Sequence, residues 1–169
     1  LHLVDEPDRV ESSYGYFLDP ERGQHAWFDR EGEIHISRCH DGEELMKLPS
    51  KYKDSNFARF SRGGKFLSVS AAGARSAMTV WNLEKEKAVL EFEDCSRGLM
   101  NFSPNEKVLG MDEGKMLALY RLDGSGERRE IDCGFPVHDI SWSWDSRYVA
   151  ALSKSKRLAV IDFETGERK

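Results

Sequence analysis

A repeat of about 40 residues constrains this 169-residue chain more than any other feature of its sequence. An aromatic residue, a turn, a basic residue and an apolar strand recur at Phe17–Arg22, Phe60–Lys65, Phe102–Lys107 and Trp142–Arg147. The aromatic positions are 43, 42 and 40 residues apart. A second pattern, an alternating strand followed by a polar turn, runs in phase with the first. It places Ile36, Val80, Leu119 and Val160 in register at spacings of 44, 39 and 41. Two patterns with one period mean that a single supersecondary unit has been copied four times, over residues 12–50, 55–94, 98–133 and 137–169.

Each unit reads as four short strands. In the second they are Asn56–Ser61, Phe66–Ala71, Ala77–Leu83 and Ala88–Phe92. In the third they are Leu99–Ser103, Val108–Met111, Met116–Leu122 and Arg129–Cys133. The turns between them carry Gly, Asn, Asp, Ser or Pro, which supply the backbone angles of tight turns. Tyr148–Leu152 is apolar on both faces, as a strand packed between two layers requires. No segment has a helical period.

The hairpin Phe102-Ser-Pro-Asn-Glu-Lys107, followed at the end of a third strand by a pair such as Val80-Trp81-Asn82, is similar to the WD40 repeat. That family carries Phe-Ser-Pro-Asp-Gly-Lys and Trp-Asp at these places. The resemblance implies an all-β chain: a β-propeller of four-stranded antiparallel blades, with four WD40-like repeats forming an open arc of a larger propeller. WD40 rings usually close with about seven blades, within the range of four to eight that propellers use. Residues 1–5, around Leu1–Val4, read as an orphan fourth strand, and the last copy stops before its own. In a closed ring of four, the first would complete the last.

The copies depart from the family. The Trp-Asp position holds Trp81-Asn82, then Tyr120-Arg121, then Ile161-Asp162. The literal Trp144-Asp145 falls in a first-hairpin turn instead, and no Gly-His pair occurs. The buried His–Asp–Ser–Trp network that the family implies is therefore not assembled in any copy. Apolar packing, at about 25 cal/mol per Å² buried, has to take its place.

The resemblance implies a non-catalytic scaffold for a protein or peptide partner, part of a larger propeller or of a multidomain signalling protein. Residues for such contact are Trp144 and the four basic residues at one repeat position, Arg22, Lys65, Lys107 and Arg147. Trp144 takes the place of the usual turn Pro, and a large aromatic exposed there marks a contact surface, unless it folds back over its own hairpin. The four basic residues would line one rim as an anion-binding arc. Neighbouring Glu21, Glu106 and Asp145 offset them, and the plainer reading is a solvated turn residue in each copy.

The remaining chemistry is sparse. A net charge of −5 and a pI near 5.6 argue against a general nucleic-acid binder. No apolar run approaches the length of a membrane span. Cys39, Cys95 and Cys133 are odd in number, far apart and without a Cys-x-x-Cys pair, which points to reduced thiols in a cytoplasmic protein and to no metal or cofactor site. His35 and His40 do not share a strand face as metal ligands would, and His138 beside Asp139 opens an inner strand. Asp29-Arg-Glu31 and Asp112-Glu113 sit in second hairpins, as solvated turns or an acidic patch. Asn101-Phe-Ser103 matches a glycosylation acceptor within a strand. No Ser-His-Asp set, phosphate loop or nucleophile elbow is present. The alternatives to a scaffold are a propeller enzyme of hydrolase or lyase type with polar residues on its inner strands, where Ala58, Met100 and Ile140 stand, and a purely structural array.

Overall fold

The computed structural model describes residues 17–49, 55–71, 77–93 and 100–169. These form strands only; among the described residues there is no helix. The first sheet runs in the order β1 (Phe17–Asp19), β2 (Gln24–Phe28), β3 (Ile34–Arg38) and β4 (Glu44–Leu48). The second is β5 (Ser55–Phe60), β6 (Phe66–Ala71), β7 (Ala77–Asn82) and β8 (Lys87–Phe92). The third is β9 (Met100–Phe102), β10 (Val108–Glu113), β11 (Met116–Arg121) and β12 (Arg128–Asp132). The fourth has three strands, β13 (Asp139–Trp142), β14 (Tyr148–Leu152) and β15 (Leu158–Asp162). Along the outer edge of β15 the Lys169 amide bonds the Val160 carbonyl, at 2.8 Å. Every pairing is antiparallel between sequence neighbours. The strands expected from the sequence stand within a residue or two of these bounds. Leu1–Val4, Cys95 and Leu99 lie outside the described residues.

The chain divides into two compact units, Leu1–Cys95 and Ser96–Lys169, each with two of the sheets. In the first, Ala26, Ile34, Ile36 and Leu48 of one sheet share a core with Ala58, Leu67, Val69 and Trp81 of the other. In the second, Val108, Leu117 and Leu119 pack with Ile140, Val149, Ala151 and Ile161. All six residues of β7 are buried. Among the other middle strands, β2 and β14 alternate between buried and more exposed residues, so Tyr148–Leu152 is not covered on both faces as its apolar run suggests.

The repeated hairpin has a common mechanism. Ser61, Ser103 and Ser143 each accept, on the side-chain oxygen, the amide five residues on: Phe66 at 2.9 Å, Val108 at 3.0 Å and Tyr148 at 2.8 Å. Each also accepts on its carbonyl the amide of the residue three on, and that residue is left-handed, with φ +67° at Gly64, +58° at Glu106 and +61° at Ser146. The third turn has its own cap. Asn82 Oδ1 accepts the Lys85 amide and Asp162 Oδ1 the Thr165 amide, both at 3.1 Å. An acceptor at the second position of the Trp-Asp pair fastens this turn, and Asn does it as well as Asp.

Candidate functional site

The first-hairpin turns carry the five residues singled out from the sequence. In the first unit, Glu84 lies between two of the cations, 3.6 Å from Arg22 Nη2 and 3.3 Å from Lys65 Nζ. Arg62 reaches back to Glu21 at 3.3 Å. In the second unit, Arg147 Nε lies 3.3 Å from the buried Asp162 Oδ2. Lys107 is exposed and makes no ion pair among the described residues. Three of the four basic side chains thus face an acid supplied by the third turn of the second or fourth sheet. The two pairs made by Glu84, exposed on both sides, contribute about 0–1 kcal/mol each.

Trp144 is 77% exposed, more than any other large hydrophobic residue described. The turn that presents it is held at several points. Asp145 Oδ1 accepts from Ser143 Oγ at 2.6 Å and from the Arg147 amide at 3.0 Å. These bonds, the first of them foremost, hold the Asp145 carboxyl below the usual carboxylate range. The Ser146 amide bonds the Ser143 carbonyl, and Ser146 Oγ accepts the Asn105 amide at 2.9 Å, tying the turn to its neighbour on the third sheet. The aromatic side chain therefore projects from a fixed backbone. Trp142, by contrast, is half-buried against the core, with its Nε1 donating to the Asn101 carbonyl at 3.2 Å.

Of the other sequence candidates, some are taken up within the fold and some stand at the surface. Asn101 Nδ2 donates to the Ile140 carbonyl at 3.1 Å, so its amide is taken up between sheets. Ala58, Met100 and Ile140 are buried, while His138 and Asp139 are exposed. Cys39 is an exposed free thiol and Cys133 a buried one. His40 lies 3.2 Å from Asp41 at the surface.

Sequence reasoning missed one cluster on the first sheet. His35 on β3 is cross-strand partner to Trp27 on β2 and stacks on it, with ring centroids 4.1 Å apart and planes within 13°. Its Nδ1 lies 2.6 Å from Glu44 Oε2 on β4 and its Nε2 3.1 Å from Asp29 Oδ2 in the β2–β3 turn. Burial tends to raise the Asp29 carboxyl, but the His35 bond and the Glu33 amide outweigh it and leave the group below its ordinary range. The hairpin register alone could have placed Trp27 opposite His35. The acids required knowledge of how the turn folds.

The paired antiparallel sheets, repeated with one hairpin chemistry, are those of a β-propeller. The β-propeller domain of Cps50 (Swd1) from Myceliophteria thermophila superposes on 95% of the chain with a TM-score of 0.69 at 18% identity. A Kuenenia stuttgartiensis hydrazine synthase structure superposes on 99% with a TM-score of 0.64 at 13% identity. The chain spans about half of each, 54% and 51%. The WD40-like resemblance of the repeats and this likeness agree on the fold. No protein-family model matches the sequence, and no curated protein matches it.

Proposed function

We propose that the chain is a non-catalytic binding module for a protein or peptide, working as part of a larger propeller or signalling protein, with Trp144 as an anchor of the contact. The observation that carries this reading is the 77% exposure of Trp144 on a turn whose backbone is already fixed by hydrogen bonds. An aromatic held in place loses little freedom when it enters a partner's pocket, so more of its burial appears as affinity. Lys107, exposed on the equivalent turn of the same unit, adds a cation that suits an acidic rim on the partner. The inner-strand positions Ala58, Met100 and Ile140 are apolar and buried, and the polar residues there, His138 and Asp139, stand in the last copy alone. The free thiols at Cys39 and Cys133 accord with a cytoplasmic setting.

The test is selection of a displayed peptide library on the chain, followed by titration of the selected peptide. Trp144→Ala should weaken that binding by about 1–3 kcal/mol, with little change in folding stability. Selected peptides that bind the Trp144→Ala variant as tightly as the parent would refute Trp144 as the anchor.

A further inference from the structure

The Trp27–His35 cluster is independent of the Trp144 turn and carries a different chemistry. His35 is held between two carboxylates. Glu44 Oε2 lies 2.6 Å from Nδ1, and Asp29 Oδ2 lies 3.1 Å from Nε2 on the other side. Nε2 and that oxygen can share a proton or, in its place, a metal ion. The imidazole has little freedom to turn away, because its side chain is only 9% exposed and it is stacked on Trp27. Asp29 is equally fixed: its Oδ1 accepts the Glu33 amide at 2.8 Å, leaving Oδ2 for the imidazole.

We propose that Asp29, Glu33 and His35 bind a divalent first-row transition-metal ion of the Zn²⁺ class, with Glu44 orienting His35 from behind. The three donor atoms lie within 4.8 Å of one another. Donors about 2.1 Å from one zinc ion are about 3–3.4 Å apart at tetrahedral or right angles, so the His35–Asp29 separation already fits and Glu33 has a short way to move. A ligating histidine whose other nitrogen is bonded to a carboxylate is the usual outer-sphere arrangement of such centres. The mixed imidazole and carboxylate set favours zinc-like ions over Mg²⁺ or Ca²⁺, which prefer oxygen alone. The cluster opens on a concavity lined by Trp27, Asp29, Arg30, Glu31, His35 and Lys47, which gives an entry path and room for a water ligand. Lys47 on β4 is the built-in competitor, since its ammonium pairs with Glu33. Arg30 and Glu31 at the rim offset each other in charge.

The experiment is calorimetric titration of the chelator-treated chain with Zn²⁺, with tryptophan emission recorded in parallel because Trp27 lies against the ligating ring. One ion per chain is expected. Glu44→Gln should raise Kd about 10–100-fold, the usual effect of losing an outer-sphere partner. Lys47→Gln should lower Kd by releasing Glu33, and His35→Gln should abolish binding. Cys39→Ser should change nothing, although Cys39 Sγ lies 3.9 Å from His25 Nδ1 and is the other place a zinc ion could settle. Should His35→Gln fail to fold, the opposite shifts of Glu44→Gln and Lys47→Gln, in chains with the parent's circular dichroism, decide the question. Absence of saturable Zn²⁺ binding overturns the proposal. So does binding that survives Asp29→Asn unchanged, or that is lost with Cys39→Ser.

Discussion

Trp81 and Trp142 bear the same ring and should answer the same substitution with opposite signs. Trp81 is 9% exposed, and its Nε1 is buried with no acceptor among the described residues. Trp142 Nε1 has one, the Asn101 carbonyl at 3.2 Å. Replacing either by Phe leaves a void of about 40 Å³, costing about 1 kcal/mol at about 24 cal/mol per Å³. At Trp81 the change also removes an unsatisfied buried donor, which costs the parent about 1–3 kcal/mol. Trp81→Phe should therefore be neutral to about 2 kcal/mol stabilising, even though Trp81→Ala should cost about 3–5 kcal/mol as a core cavity. Trp142→Phe removes a made bond and orphans its acceptor, so it should destabilise by about 1–2 kcal/mol. Urea unfolding followed by circular dichroism measures all three, each read on the transition it shifts and at unchanged m value. A Trp81→Phe variant that loses about 2 kcal/mol or more would show that Nε1 has a partner in the folded protein. The missing WD40 network would then have been replaced by another rather than by packing.

Gly64→Ala should cost clearly more than Gly23→Ala. Both glycines are left-handed, a strain of about 1–2 kcal/mol for alanine, but a Cβ at Gly64 would lie 2.1 Å from Asp19 Oδ2 while one at Gly23 meets nothing within 4 Å. Equal losses on thermal melting would contradict the packing of these two turns. The second unit should lose stability in acid. The Asp162 carboxyl is held below its ordinary range, first by the Thr165 amide and then by Arg147. Asp145 is held down in the same direction. A depressed carboxylate stabilises fully above the unfolded value near pH 4, and that stability goes as pH falls through the lower folded value. Asp162→Asn should flatten this acid limb in a pH series of melts, and an unchanged limb would remove Asp162 from the account. Brief alkylation of the native chain, mapped by mass, should modify Cys39 well ahead of Cys133, which is exposed only 1%. Comparable rates would mean that the second core opens far more readily than its packing implies.

The sequence by itself determined the strands and the turns, because those are fixed by neighbours along the chain. Alternation sets which side of a strand is apolar. Ser61, Ser103 and Ser143 close their hairpins on amides five residues away, and Asn82 and Asp162 cap turns three residues away. The serine closure recurs in three copies and the turn cap in two, and these recurrences leave a period to read. The tertiary structure alone decided what the distinctive side chains face. Glu84 comes between Arg22 and Lys65 only when two sheets of one unit bring their turns together. Trp142 meets the Asn101 carbonyl across two sheets, 41 positions away. His35 is clasped by Asp29 and Glu44 because a turn folds back on one side and a third strand pairs on the other. These partners occur once and have no period. Their energies depend on distances of a few ångströms between residues that the chain itself leaves unrelated.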